Sequence, residues 1–94
     1  PQSEYAANAH LWLGECYSAL HRYPQAIEAF RTVVERFPKG QKAPDALLRI
    51  GLVHDSAKEP AKAHAAFQEV VEKFPASDAA TRARELLLRE ELKK

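Results

Sequence analysis

The sequence predicts an all-α protein built from antiparallel helix hairpins. Three observations carry that reading: an internal period, a helical spacing of apolar residues within it, and prolines at set places in it. The period comes first, because a repeat of about 20–50 residues decides the architecture. Pro1, Pro38 and Pro75 are spaced 37 residues apart. The same shift maps Ala9 on Ala46, Gly14 on Gly51, Ala26 on Ala63, Phe30 on Phe67, and Val33-Val34-Glu35 on Val70-Val71-Glu72. Residues 1–37 and 38–74 share twelve identities (at 1, 6, 9, 11, 14, 26, 29, 30, 33, 34, 35 and 37), where unrelated chains of ordinary composition would share about two or three. The chain is therefore expected to be a single domain, 1–94, made of a first repeat (1–37), a second repeat (38–74) and a capping helix (75–94). One hairpin cannot bury both its faces, so the repeats must stack.

The elements follow in order. Ala6, Ala9, His10, Leu13, Gly14 and Tyr17 lie on one 3.6-residue stripe, which predicts a first helix over about 4–20. Cys16 is expected on an inward face of it, as a small apolar residue. Pro24 suits the first turn of the second helix, where a missing N–H is harmless. That helix is expected to bury Ala26, Ile27, Phe30, Val33, Val34 and Phe37. It stops before Pro38, because the residue preceding proline avoids the α region. The second repeat predicts helices over about 43–57 and 60–74. A fifth helix is expected over about 78–92, with Ser77 as its N-cap and Ala83, Leu87 and Leu88 where the first repeat has Ala9, Leu13 and Gly14. Turns are expected at about 21–23, 38–42, 58–59 and 75–77.

Gly14 and Gly51 stand inside helices, at a cost near 1 kcal/mol against alanine. Their smallness is expected to admit a close helix approach, with Ala26 and Ala63 facing them and Phe30 and Phe67 filling the wider end.

Fourteen basic and thirteen acidic residues leave a formal charge of +1, without the clustered basic excess that nucleic-acid binding requires. No apolar run approaches the ~18 residues of a membrane span, and the sequence itself holds no basic n-region followed by an apolar h-region, so it contains no signal peptide. The single cysteine excludes an internal disulfide. His10, His21, His54 and His64 have no mutual i, i+4 pairing and no completing Cys or carboxylate, so no metal site is expected; His10 and His54 read as core histidines. Cys16 lacks the orienting group a catalytic thiol needs, and three glycines form no phosphate loop. Neither enzymatic activity nor a cofactor is expected.

What remains is surface. The first helix of each hairpin leaves free Asn8, Leu11, Trp12 and Glu15, with Ser18 and Ala19 beyond them. The third helix offers Asp45, Leu48, Arg49, Leu52 and Asp55; the fifth offers Arg82, Leu86 and Arg89. Leu11, Trp12, Leu48 and Leu52 would form an apolar stripe edged by charge, the makeup of a protein-binding patch. The groove is expected to be apolar at its centre and charged toward its N-terminal end, at Glu15. Trp12 either faces this groove or packs between adjacent first helices. Two functions stay open: an adaptor holding a partner's peptide or helix, and a structural module whose groove is filled by another copy.

Leu13-Gly14, Tyr17, Ala26, Phe30 and Pro38, then Ile50-Gly51, Ala63, Phe67 and Pro75, resemble the signature of the tetratricopeptide repeat. His54 stands where its tyrosine is expected, and His10 where its tryptophan is. The period is three residues longer than the usual thirty-four, the extra length falling in the 38–43 linker. The resemblance implies a right-handed superhelix with the first helices on the concave side. Some members grip a C-terminal carboxylate there, but Leu11 and Glu15 stand at two of the clamp positions. More narrowly, the segments 8–15, 37–48 and 74–80 look like the C-terminal repeat domain of the Tol–Pal cell-division coordinator family. That likeness implies a periplasmic location and an N-terminal coiled coil through which the full-length protein could oligomerise. It also implies contacts with a TolA-like protein and a bifunctional peptidoglycan synthase, coupling envelope constriction to septal wall synthesis. Outer-membrane assembly lipoproteins carry similar long-period repeats and supply the alternative.

Overall fold

The computed structural model describes residues 2–93; Pro1 and Lys94 lie outside them. It contains five helices, α1 (Gln2–Ala19), α2 (Tyr23–Arg36), α3 (Ala43–Ser56), α4 (Pro60–Lys73) and α5 (Asp78–Lys93), and no strand among the described residues. α1 pairs with α2 and α3 with α4; α2 in turn packs on α3, α4 on α5, and α3 also touches α5. The expected boundaries hold to within about two residues, the ordinary spread of helix ends.

The ends show why. Arg22 N–H donates to Tyr17 O at 2.8 Å and His21 N–H to Ser18 O at 3.0 Å. One period later Glu59 N–H donates to His54 O at 2.8 Å and Lys58 N–H to Asp55 O at 3.0 Å. This pair of bonds closes a helix when the residue past its end turns left-handed, usually a glycine. Here His21 and Lys58 do it, at φ 60° and 63°. Proline sits in the first turn of α2, α3 and α4. Ser77 caps α5 by accepting the Ala80 N–H at 3.0 Å.

The core is one continuous cluster whose largest fully buried members are Phe30, Leu47, Ile50, Val33 and Val70. Gly14 contributes by what it lacks. A Cβ there would come 2.5 Å from the Phe30 ring, and a Cβ on Gly51 would run into the Phe67 ring in the same way. The atoms nearest each glycine are those of the phenylalanine ring, and Ala26 and Ala63 are buried in the same core.

α1 corrects the expected register. Its buried side is Ala7, Leu11 and Gly14, while Ala9, Leu13, Cys16 and Leu20 are exposed. The helix carries apolar residues nearly all the way round, so periodicity alone selects no face. In α3 the counterparts Ala46, Ile50 and Val53 are buried, because α2 covers one side of it and α4 the other. α5 departs similarly: Ala83 is fully buried, but Leu88, at the glycine position, is 61% exposed.

Candidate functional site

The face formed by α1, α3 and α5 carries two clefts. The first, about 340 Å³, opens between the C-terminal halves of α1 and α3 and is lined by Glu15, Ser18, Ala19, Phe30, Arg49, Leu52, Val53 and Ser56. The second, about 330 Å³, lies against α5 and is lined by Asp55, Pro60, Phe67, Leu86, Arg89, Glu90 and Lys93. The period relates them: Ser18 maps on Asp55, Phe30 on Phe67, Arg49 on Leu86, Leu52 on Arg89, Val53 on Glu90 and Ser56 on Lys93. The chain therefore builds one cleft twice and lines it differently.

In the first cleft, Phe30, Leu52 and Val53 supply the apolar surface. Arg49 spans its edge, its guanidinium paired with Glu15 on α1 at 2.5 Å and with Asp45 one turn back at 3.0 Å. The planar fork suits two carboxylates at once, and the pairing ties α1 to α3 at the mouth. Both helices end here, at Ala19 and Ser56, so their last carbonyls give the far rim a partial negative charge. An apolar side chain entering this cleft, with a polar or basic neighbour on the rim, meets complementary chemistry. The second cleft keeps Phe67 and Leu86, but Arg89, Glu90 and Lys93 surround them. Glu90 is held 3.4 Å from His64 Nδ1 on α4. Charge thus stands at both ends of the face: at Glu15, as expected, and also beside α5, where the repeat replaces Leu52 and Val53 by Arg89 and Glu90.

Of the expected residues, the structure gathers Glu15, Arg49 and Leu52 in the first cleft and Asp55, Leu86 and Arg89 in the second. Leu11 and Leu48, the expected apolar anchors, are 9% and 7% exposed and belong to the core. Both sit in the hydrophobic core cluster, out of a partner's reach. Trp12 is 68% exposed, so it does not pack between first helices, and it lines neither cleft. Asn8 and Arg82 also lie outside both, and Asp45 acts through Arg49. Phe30, Val53 and Phe67 were missed as lining residues. All three are buried and form only the floor of the clefts, so their place in the core was legible and their place beneath a cleft was not.

Nothing in the clefts pairs a nucleophile with a base. Among the described residues no three His, Cys, Asp or Glu side chains are placed to hold a metal ion, and no helix is long and apolar enough to cross a membrane. His54 is largely buried, with Nδ1 2.9 Å from Glu59 Oε1, whereas His10 is half-buried at the α1–α2 edge. The His54 hydrogen bond, with help from Lys62, holds the Glu59 carboxyl below its ordinary value against an opposing desolvation. That group lies in the α3–α4 turn and lines neither cleft.

No curated protein matches the sequence. A family model, the tetratricopeptide repeat, matches residues 5–76, from the first turns of α1 to the turn before α5. Tetratricopeptide repeats are protein-interaction modules and typically non-catalytic, which accords with paired clefts that offer shape and charge but no reacting groups. With well over half of its length matched, both hairpins included, the chain belongs to the tetratricopeptide repeat family.

Proposed function

We propose that this domain is an adaptor of the Tol–Pal envelope and cell-division machinery, holding a peptide or helix of a partner on its α1–α3–α5 face. The observation that carries the binding reading is the first cleft: Leu52 is exposed over a floor of buried Phe30 and Val53, beside the Glu15–Arg49–Asp45 ion pairs. An apolar pocket with a charged edge anchors a partner at its centre and orients it at its rim. The likeness of segments 8–15, 37–48 and 74–80 to the Tol–Pal coordinators supports a periplasmic setting. It also supports a TolA-like protein or a peptidoglycan synthase as the partner.

The test titrates a TolA-like protein and a peptidoglycan synthase into the parent and into Leu52→Glu. Leu52 is partly exposed, so the substitution leaves the fold in place. Binding should weaken by at least about 30-fold, since a central anchor carries ~2 kcal/mol. Gln68→Ala on the exposed side of α4 should leave affinity unchanged. Failure of both proteins to bind the parent would remove the Tol–Pal assignment. Binding indifferent to Leu52→Glu would remove the cleft.

A further inference from the structure

The two clefts differ in sign. At the mouth of the first, Arg49 stands between Glu15 and Asp45 and is paired with both. Two carboxylates against one guanidinium leave a net negative charge. All three side chains are partly exposed, so an incoming group can reach them. Arg49 gives Nε to Asp45 Oδ2 and Nη1 to Glu15 Oε1. A carboxylate accepts at both its oxygens, so Asp45 Oδ1 and Glu15 Oε2 can still take a donor.

The far rim has the same sign. α1 ends at Ala19 and α3 at Ser56, and a helix C-terminus carries a partial negative charge of about half a unit. The hydroxyls of Ser18 and Ser56 stand on the wall and add no charge. The basic side chains of the turns beyond, His21, Arg22 and Lys58, do not line the cleft. The second cleft has no such bias. Asp55 and Glu90 stand there with Arg89 and Lys93, and the four charges cancel.

We propose that the first cleft selects a protein segment in which an apolar side chain is followed closely by lysine or arginine, and disfavours an acidic segment or a terminal carboxylate. The inference rests on the reading of that cleft as the binding site. The apolar side chain stands against Leu52, above the buried Phe30 and Val53. The cation reaches Glu15 and Asp45 beside Arg49. A carboxylate can use the remaining N–H groups of Arg49, but it would then lie close to two like charges. Complementary charge at a rim chooses between partners more than it adds affinity.

The isotope-labelled chain is titrated with two short peptides blocked at both ends. They are alike except that one carries phenylalanine followed by lysine and the other phenylalanine followed by glutamate. Amide shifts of Leu52, Val53 and Ser56 report the first cleft, and those of Leu86 and Arg89 the second. The lysine peptide should bind the first cleft at least about fivefold more tightly at low ionic strength, from one attraction gained and one repulsion avoided at exposed charges. The difference should shrink near 1 M salt, where the screening length falls to about 3 Å. Glu15→Gln combined with Asp45→Asn should erase the preference, because Arg49 is then offset only by the helix ends. Arg49→Gln should widen it. Ion pairs that merely hold α1 to α3 would instead weaken both peptides alike in every variant. Should the double variant lose helicity, Glu15→Gln alone should narrow the preference. Equal affinities in the parent, or a preference that survives loss of the carboxylates, overturns the proposal and leaves the cleft as the binding site. Cleft amides silent to both peptides up to about 10 millimolar overturn it together with that reading. Cleft shifts that grow with protein concentration in the absence of peptide assign the site to a second copy and overturn it too.

Discussion

α1 and α3 hold the same place in successive repeats and meet the same kind of partner, yet their surroundings differ. Each lays a bare glycine against a phenylalanine ring, Gly14 on Phe30 and Gly51 on Phe67. Each ends in the same left-handed turn. But α3 is enclosed: Ala43, Ala46, Leu47, Leu48, Ile50, Gly51 and Val53 are all buried. α1 buries only Ala7, Leu11 and Gly14 among its described side chains. The comparison teaches that in a repeat protein a side chain's role is set by its neighbours as much as by its place in the motif. Leu13 and Ile50 are one motif position, half-exposed in the first repeat and core in the second.

The largest expected difference tests this directly. Ile50→Ala should destabilise by about 3 kcal/mol, since it removes a fully enclosed side chain and leaves a cavity. Leu13→Ala, at 45% exposure, should cost under about 1 kcal/mol, in line with partial transfer alone. Urea midpoints of the two variants would decide the matter. Equal losses would mean that α1 is covered in solution.

The glycines should behave alike where the leucine and isoleucine differ. Gly14→Ala and Gly51→Ala each place a methyl inside an aromatic ring, and overpacking of this kind costs about 1–3 kcal/mol. It outweighs the gain near 1 kcal/mol that alanine brings to a helix interior. Thermal melts should fall for both. A stabilised Gly14→Ala alone would show that the first hairpin is loose enough for Phe30 to move aside.

This also marks what the sequence could reveal. Helix number and bounds were legible because proline, the twelve repeat identities and the Ser77 cap act locally, within a turn of the residues they govern. The buried face of α1 was not legible. Its apolar residues surround the helix, and only the absence of a covering helix decides which of them see water. Leu11 and Leu48 were placed in the groove for the same reason: their burial in the common core is set by tertiary packing and has no local signature. The clefts were half legible. Glu15, Arg49 and Leu52 were found from their free face on the helix, while Phe30, expected in the core and buried there, lines the cleft only from beneath.

A smaller effect concerns the left-handed turns. His21 and Lys58 occupy a conformation that costs a non-glycine residue roughly 1–2 kcal/mol, partly offset because glycine has more freedom to lose on folding. Lys58→Gly should therefore stabilise by about 0.5 kcal/mol. His21→Gly should gain less, because His21 Nδ1 bonds the Tyr23 hydroxyl at 2.7 Å and that bond is lost. Calorimetric midpoints that rank the two in the opposite order would show the His21–Tyr23 contact to be inconsequential.

The smallest effect separates the hairpins by pH. The second hairpin has His54 bonded to Glu59; the first has Tyr17 and Arg22 at those positions. His54, and secondarily Lys62, hold the Glu59 carboxyl below its ordinary value. A folded-state value lower than the unfolded one means that the carboxylate contributes stability above the unfolded value, near 4.3 for glutamate. That contribution is lost as pH falls through the lowered folded value. Glu59 is exposed to water, so the contribution is small. Glu59→Gln should melt slightly below the parent at pH 7, and the gap should narrow toward pH 3, as the carboxyl takes up its proton. Arg22→Gln, its counterpart in the first hairpin, should show a gap that does not change between those two pH values, because arginine does not titrate there. A Glu59→Gln gap that persists undiminished at low pH would assign the effect to packing in the α3–α4 turn and not to the charge of the carboxylate.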